Sequence, residues 1–268
     1  MKKMKIALIQ CAGVDGEVEA NAEQVRSLLD LVPSKTNYIL LPEMWPSGFR
    51  VVEGEDLWKR TQGVLKDLAK WARRKRVNIL GSHLEQKSGK YFNTLSLMTA
   101  QGEYHPLYRK VHLFSMGGED QKFQAGDQME LLKMNHVKWG LGICYDLRFP
   151  EFFRAQVDAG ASLFVLPSAW PKARIDHFKI LSTARAIENQ CFFISVNKVG
   201  FNAEGIEYGG TSSVIDPWGR TLLQMDEKPG VGIAQIDLSK VEKIRSQFPV
   251  LKGRRDEVYG KKVKVYQL

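Results

Sequence analysis

The chain has 268 residues, 44% of them hydrophobic and 26% charged, which is typical of a globular α/β protein and excludes a disordered or fibrous one. No apolar stretch reaches the ~20 residues that a membrane-spanning helix needs, so we expect no membrane partner. The formal net charge is +9, but the basic residues are scattered and no RNA- or DNA-binding motif accompanies them. We therefore also expect no nucleic-acid partner.

The first apolar run, the cysteines and the histidines favour a cytoplasmic protein without a metal site. The run that follows the basic start ends at Ile9 and is too short for a signal-peptide core, so it predicts a strand. Cys11, Cys144 and Cys191 form no CxxC pair, which indicates reduced thiols. None of the histidines has the spacing of zinc ligands.

Apolar runs of strand length alternate with helical patterns along the chain. Strands are predicted at residues 5–10, 38–41, 77–82, 94–99, 138–143, 163–166, 192–197, 212–215 and 232–237. Helices are predicted at residues 17–31, 56–75, 152–159 and 177–189. Glycine turns at residues 101–102 and 217–219 predict hairpins. No linker or composition shift divides the chain, so we expect a single domain over residues 1–268.

Two segments of the chain resemble each other. Residues 37–46 read NYILLPEMWP and residues 162–171 read SLFVLPSAWP, and each is followed by a long helix and then two strands. The matched order of elements predicts two similar α/β halves. Two sheets packed face to face, with the helices outside, would bury both sets of apolar strands. A single doubly wound sheet is the structural alternative.

Cys144 is the candidate nucleophile. It lies in the segment GLGICYDLRFPEF, residues 140–152, where a predicted strand ends and a helical stretch begins. A strand-to-helix turn exposes a side chain and directs backbone N–H groups at the atom that it attacks. A buried structural thiol is the alternative, and it is the interpretation that we prefer for Cys11 and Cys191, which lie within or beside strands.

Glu43 is the candidate general base. It follows the apolar strand at residues 38–41 and stands between Pro42 and Met44. Apolar surroundings raise the pKa of a carboxylate, which suits a base that works near neutral pH. Its counterpart in the second half is Ser168, so the fold itself does not require an acid at this position. An exposed loop glutamate is the alternative.

Lys110 and His112, in the segment HPLYRKVHLF, are both candidates to assist the thiol. In a Cys-Glu-Lys arrangement the carboxylate takes the thiol proton, and the ammonium stabilises the thiolate and the oxyanion. In a Cys-His arrangement His112 would be the base and Asp146 would orient it. A strand whose basic residues face solvent is a third interpretation of this segment.

Together these segments resemble the carbon–nitrogen hydrolase (nitrilase) superfamily. The three signatures of the family stand here as LPE at residues 41–43, YRKVHLF at residues 108–114 and GLGICYDLRFPE at residues 140–151. AGD, TARAIENQ and DPWG are further matches, so the resemblance covers nearly the whole chain. It implies a four-layer α-β-β-α sandwich with two pseudo-symmetric halves, a homodimer or larger homo-oligomer, and catalysis without a metal or organic cofactor.

The resemblance also implies roles for individual residues. Cys144 is the nucleophile, Glu43 the general base and acid, and Lys110 the oxyanion stabiliser, assisted by the backbone N–H of Tyr145. Glu119 matches a second glutamate of the family, which would orient Lys110 or the attacking water. His112 then becomes a structural residue near the site.

Within the superfamily, the segments CYDLRFPE, PSAWP and TARAIENQ are most similar to the ω-amidase branch. That branch hydrolyses the side-chain amide of α-keto acids such as α-ketoglutaramate and 2-oxosuccinamate. Because such a substrate carries a carboxylate, and bidentate arginine suits a carboxylate, Arg148 and Arg174 are candidate substrate-binding residues. Trp170, Trp45 and Phe49 are candidate pocket walls, of which we favour Trp170. Packing in the core is the alternative for each of these aromatic residues, and a surface role is the alternative for Arg174.

Other activities remain alternatives at this point. Within the superfamily they are an N-carbamoyl amino acid hydrolase, an aliphatic amidase and a nitrilase. From other classes they are a Cys-His enzyme of the thioesterase or protease type, and a catalytically inactive protein that binds through its basic surface.

Overall fold

The computed structural model describes residues 3–50 and 54–261, and most of its strands form two six-stranded sheets. The strands of the first half are β1 (Lys3–Gln10), β2 (Tyr38–Leu40), β3 (Asn78–Lys87), β4 (Lys90–Met98) and β5 (Tyr104–Arg109). Those that follow are β6 (Leu131–Met134), β7 (Val137–Leu141), β8 (Leu163–Ser168), β9 (Phe192–Asn197), β10 (Val199–Phe201), β11 (Glu207–Gly209), β12 (Ser213–Ile215), β13 (Thr221–Gln224) and β14 (Gly230–Asp237).

The two sheets have the same internal plan. The first has the order β14-β1-β2-β3-β4-β5 and the second the order β6-β7-β8-β9-β12-β13. In each sheet the first pair is antiparallel, the next two pairs are parallel, and the last two are antiparallel. The predicted pseudo-symmetric halves are therefore confirmed, and the alternative of a single doubly wound sheet is wrong.

Seven α-helices occur in the described residues, and the longest of them pack against the outer faces of the sheets. They are α1 (Val18–Leu29), α2 (Gly54–Lys75), α3 (Glu119–Lys122), α4 (Pro150–Asp158), α5 (Ile175–Asn189), α6 (Ser239–Gln247) and α7 (Asp256–Tyr259). The four layers form an α-β-β-α sandwich, as predicted. None of these helices is long and apolar enough to cross a membrane within residues 3–50 and 54–261.

The sequence of β1 shows why its apolar run is continuous. Ile6 and Leu8 belong to the core that both sheets share, whereas Ala7 and Ile9 pack toward α1 and α2. Successive side chains of a strand point to opposite faces, so a strand buried on both faces needs apolar residues at every position. Across the shared core, the rings of Tyr38 and Trp139 lie 4.5 Å apart between centroids.

The nine predicted strands and four predicted helices are present, with shifts at their ends. β3 continues five residues past its predicted end at residue 82, and α5 begins two residues before residue 177. The second strands of the two predicted hairpins are β5 and β13. Missing from the prediction were the edge strand β6 and the β10–β11 hairpin, which are short, α6, whose surface is largely polar, and the four-residue helices α3 and α7. The predicted domain limits at residues 1 and 268 lie outside the described residues.

Candidate active site

A cavity of about 320 Å³ opens where the parallel strands of both sheets end. The strands β2, β7, β8 and β9 all deliver their carboxyl ends to this region. Because the carboxyl ends of parallel strands meet at one edge of a sheet, the loops that follow them line a common cleft. The cavity is lined by Glu43, Lys110, Glu119 and Cys144 among other residues.

Cys144 stands on a sharp turn at the end of β7. Its φ is +45°, in the left-handed region that residues with a Cβ rarely adopt, and it is the first residue of a 3-10 turn that ends at Arg148. The carboxylate of Asp146 fixes this turn, because it accepts hydrogen bonds from the Ile143 amide and the Tyr108 hydroxyl, both at 2.8 Å. The sulfur is thereby presented to the cavity from a rigid base.

Glu43 is fully buried at the junction of the two halves. Its amide donates to the carbonyl of Ser168 at 3.3 Å, and its Oε2 accepts from the amide of Ala169 at 2.9 Å. Its Oε1 accepts from Lys110 Nζ and from Asn93 Nδ2, both at 2.8 Å. Burial raises the pKa of the Glu43 carboxyl above its usual value, although Lys110 acts in the opposite direction.

Lys110 follows β5 and is buried between two carboxylates. Its Nζ lies 2.8 Å from Glu43 Oε1 and 2.7 Å from Glu119 Oε2. Burial alone would lower the pKa of Lys110, but the charges of Glu43 and Glu119 outweigh it and raise that pKa well above its usual value. The lysine is therefore an ammonium at neutral pH. The interpretation of this segment as a strand with solvent-facing basic residues is wrong for Lys110.

Glu119 is also buried and lies in the cavity beside Lys110. Both of its oxygens accept from Lys110, and its Oε2 accepts in addition from the amide of Phe114 at 2.7 Å. Asn93 Nδ2 bridges the two carboxylates, 2.8 Å from Glu43 and 3.2 Å from Glu119. Glu119 thus contacts Lys110 directly and holds its position.

The thiol and the carboxylate form a proton-transfer pair. The Cys144 side chain hydrogen-bonds to Glu43, and burial together with the Glu43 charge raises the pKa of the thiol well above its usual value. The thiol is therefore protonated at neutral pH, and both Glu43 oxygens act as hydrogen-bond acceptors toward Lys110 and Ala169. Such a thiol becomes nucleophilic only when the carboxylate takes its proton during attack, with the Lys110 ammonium close enough to stabilise the charge that develops.

His112 does not line this cavity in the part of the chain that the structure describes. Its Nδ1 lies 2.8 Å from Asp146 Oδ1, and its ring stacks on Phe149 with centroids 3.8 Å apart. It therefore braces the turn that carries Cys144. The placement of Trp45 as a pocket wall is also wrong, because Trp45 is buried in the core of the first half and packs over Gly81.

The outer part of the cavity combines aromatic walls with two arginines. Phe49, Tyr145 and Trp170 line it, together with Arg148 and Arg174. The guanidinium of Arg148 lies 4.8 Å from the centroid of the Trp170 ring, and that of Arg174 lies 5.4 Å from the Phe114 ring. Both arginines are only partly exposed, and no carboxylate within residues 3–50 and 54–261 forms an ion pair with either.

Comparison with known proteins assigns the family. Residues 5–246 match the carbon-nitrogen hydrolase family. The chain belongs to this family. It is accordingly a hydrolase that acts on carbon–nitrogen bonds other than peptide bonds.

Several relatives of this carbon–nitrogen hydrolase have named activities. A 2-oxoglutaramate amidase of Bacillus subtilis (strain 168) is 33% identical over 259 residues, which cover 94% of this chain and 98% of that protein. An omega-amidase of Mus musculus is 28% identical and covers 97% of this chain and 98% of its own. Among solved structures, a superfamily protein of Xanthomonas campestris with an arsenic adduct in its active site has a TM-score of 0.85 at 29% identity, covering 95% and 98% of the two chains.

Two residues of this site escaped the sequence analysis of the hydrolase. Asn93 lies in the middle of β4 and bonds both carboxylates, and Lys198 follows β9 and is buried behind Glu43. Each carries a signal in the sequence. Asn93 is a polar amide within an apolar strand, and Lys198 is a charged residue directly after an apolar strand. Such signals are common on exposed strands, and only the three-dimensional packing shows that these positions are buried.

Proposed function

We propose that this hydrolase is an ω-amidase, which releases ammonia from the side-chain amide of an α-keto acid such as α-ketoglutaramate or 2-oxosuccinamate. The observation that carries the proposal is the pairing of two features in one cavity. A Cys-Glu-Lys cluster occupies its floor, and two arginines without a carboxylate partner among the described residues stand nearer its mouth. A substrate with an amide at one end and a carboxylate at the other matches both, and two relatives are named for this activity.

In the first half-reaction Glu43 takes the thiol proton of Cys144 while the sulfur attacks the amide carbon. Lys110 and the backbone N–H of Tyr145 stabilise the oxyanion; the first amides of a helical turn lack intrahelical acceptors and are free to donate. Glu43 then gives the proton to the amide nitrogen, the C–N bond breaks and ammonia leaves. A thioester on Cys144 remains.

In the second half-reaction the same carboxylate acts on water. Glu43 takes a proton from a water molecule, whose oxygen attacks the thioester carbon, and Lys110 again stabilises the oxyanion. The C–S bond breaks, the sulfur regains a proton from Glu43 and the acid is released. Glu119 takes no proton in this sequence and acts by holding Lys110. Each proton is returned, so these side chains complete the cycle without a cofactor.

The proposed carboxylate site consists of Arg148 and Arg174. Arg148 is four residues beyond the nucleophile, on the turn that the Asp146 carboxylate fixes, and its guanidinium is held over the Trp170 ring. Among the described residues, the only side-chain hydrogen-bond partner of the Arg148 guanidinium is His177 Nδ1, which lies 3.4 Å from Nη2. Guanidinium groups bind carboxylates through two parallel hydrogen bonds, so a charged substrate end would satisfy Arg148 better than solvent does.

Replacement of Arg148 with alanine is expected to raise KM for α-keto acid amides by ~10- to 100-fold, the range for loss of a charge-assisted hydrogen bond. KM for a neutral amide of similar length should change by less than ~3-fold. Steady-state ammonia release measures both. Arg74→Ala, on the exposed side of α2, is the matched control and should leave both values unchanged. An equal effect on the two substrates would remove Arg148 from the binding site.

The substrate class itself is tested by an ammonia-release panel at equal concentrations. α-Keto acid amides, N-carbamoyl amino acids, simple aliphatic amides and nitriles are compared by kcat/KM. We expect the α-keto acid amides to be turned over fastest. A faster reaction with a carbamoyl acid, an aliphatic amide or a nitrile would reject the ω-amidase proposal and assign a sister activity of the superfamily.

We further propose that the chain acts as a single domain in the cytoplasm and forms a homodimer. The two halves share one core and jointly build the active site, and all three cysteines are free thiols. Cell fractionation tests the location.

The dimer face that we propose comprises Ile180, Ile187, Trp218 and Phe248, all exposed. Ile187 packs against Gly219, and the rings of Trp218 and Phe248 lie 5.8 Å apart, so the apolar surface is continuous. A second copy, related by a twofold axis, would cover it with the same residues.

Ile187→Glu is expected to convert the dimer into a single chain, because it buries a charge at the centre of that face. Sedimentation analysis should give twice the chain mass of 30.4 kDa for the unmodified protein and the single-chain mass for the variant. Leu31→Glu changes an exposed apolar side chain outside the proposed face and should keep the dimer. A monomeric unmodified protein would contradict the proposal.

A further inference from the structure

Lys198 is a buried cation that the mechanism above does not use. It is 1% exposed and lies directly after β9. Its Nζ donates to the carbonyl oxygen of Met44 at 3.2 Å, and the rings of Phe49 and Tyr208 flank it, each with its centroid 6.0 Å from Nζ. No carboxylate in the described part of the chain lies within ion-pair distance of this ammonium. A buried charge without such a partner is unfavourable for stability, so its presence calls for a reason.

The charges of the active site supply one reason. Lys110 is a single ammonium in contact with two buried carboxylates, Glu43 at 2.8 Å and Glu119 at 2.7 Å. When both carboxylates are ionised the cluster carries one surplus negative charge in a region with little solvent. Lys198 bonds the carbonyl of Met44, the residue directly after Glu43. Burial lowers the pKa of Lys198, whereas the nearby charges of Cys11, Asp15 and Glu43 act in the opposite direction. Its positive charge offsets the surplus.

The backbone next to Glu43 supplies a second reason. Met44 has φ +46°, a left-handed conformation that is strained for a residue with a Cβ. Its amide donates to Ser82 Oγ at 2.9 Å, and its carbonyl accepts from Lys198. The same side chain that supplies charge therefore also fixes the turn that directs the Glu43 carboxylate into the cavity.

We propose that Lys198 is a positioning residue for the general base, which fixes the Glu43–Met44 turn and keeps the Glu43 carboxylate ionised by offsetting the surplus negative charge. This inference rests on the role proposed for Glu43. Lys198 touches neither substrate nor sulfur in the proposed mechanism and acts only through Glu43.

A pH dependence follows from the groups that surround both side chains. Glu43 faces Lys110, Glu119, Cys144 and Lys198, whereas Lys198 faces Cys11, Asp15, Glu43 and Tyr208. A nearby positive charge favours the ionised carboxylate, so its removal raises the carboxylate pKa. Activity requires ionised Glu43 and declines as the pH falls through this pKa. Loss of the Lys198 charge therefore moves the acid limb of the kcat/KM profile to higher pH.

Lys198→Met, which keeps the length but not the charge, is expected to shift the acid limb upward by roughly one pH unit. At the pH optimum kcat should fall while KM changes by less than ~2-fold, because substrate contacts remain. Lys198→Arg keeps the charge, and its acid limb should stay at the position of the unmodified enzyme. Lys198→Gln is neutral but retains an N–H donor, and it replaces the methionine variant if that variant does not fold.

The outcomes separate this inference from the proposed function. An acid limb that stays in place in the neutral variants, with or without lower kcat, would reject the electrostatic role of Lys198. If Glu43→Gln is inactive while Lys198→Met matches the unmodified enzyme, only the role of Lys198 fails. If Glu43→Gln remains fully active, the general base itself has been misassigned.

Discussion

Replacement of Cys144 with alanine is expected to abolish amide hydrolysis and leave the fold intact. In the proposed mechanism the sulfur forms the covalent bond with the substrate, so without it the rate should drop by more than ~10⁴, to the residual catalysis that binding alone provides. Alanine occupies the same volume apart from the sulfur, and the turn is held by Asp146 rather than by the thiol. Ammonia release measures the activity, and thermal unfolding verifies the fold.

Cys191→Ala is the matched control for the nucleophile. Burial raises the pKa of Cys191 to about 12, and its sulfur lies 2.9 Å from Arg245 Nη2, outside the cavity. This variant should retain full activity. Hydrolysis by Cys144→Ala at the rate of the unmodified enzyme would contradict the proposed mechanism. A Cys191→Ala variant that has the native melting temperature but no activity would contradict it as well.

Replacement of Lys110 with methionine is expected to lower kcat/KM by ~10²–10³, the effect of removing a principal oxyanion donor. Methionine has nearly the same length, so the loss reports charge and hydrogen bonding rather than volume. Without the ammonium, Glu43 and Glu119 repel each other, which should also raise the pKa of Glu43 and narrow the active pH range on its acid side. The pH profile of kcat/KM measures both consequences.

The lysine variant leaves two buried carboxylates without their cation, which lowers the free energy of unfolding. The double variant with Lys110→Met and Glu119→Gln removes one of the two charges and should fold where the single variant does not. Lys133→Met, on the exposed face of β6, is the control and should behave like the unmodified enzyme. Undiminished turnover by the double variant would show that Lys110 is not the oxyanion donor.

In the proposed mechanism, the arrangement around Glu43 allows a carboxylate to act as the base in place of a histidine. A thiol with a raised pKa stays protonated in the resting enzyme, and its base is a carboxylate whose pKa burial also raises. When both pKa values rise together, proton transfer between the two groups stays accessible near neutral pH. The ammonium of Lys110 has its own pKa raised, so it remains a fixed charge throughout.

The residues that sequence analysis found share a local signature. Glu43 and Cys144 each lie a few residues past an apolar strand, and strand ends are recognisable from the sequence. The internal repeat also predicted the two sheets, because each half must bury a strand set that is apolar on both faces. These features depend on short-range order along the chain, which propensity and periodicity describe well.

The residues that sequence analysis missed make contacts between segments that are distant in sequence. Asn93 bonds Glu43 from a strand 50 positions away, and Lys198 reaches the Met44 carbonyl across 154 positions. The misplacement of Trp45 has the same origin, since its distance in sequence from Glu43 is small but its indole turns into the core of the first half. Which way a side chain at a strand end turns depends on neighbours that are distant in sequence, as Trp45 over Gly81 shows.

Identification of the acylated residue during turnover tests the central claim most directly. The enzyme is mixed with saturating α-ketoglutaramate, quenched with acid within milliseconds, and its peptides are weighed by mass spectrometry. We predict an added mass equal to the substrate minus ammonia on the peptide that contains Cys144, and none in the Cys144→Ala variant. An acyl group on any other residue, or turnover in which no peptide is acylated and added hydroxylamine yields no hydroxamate, would contradict it.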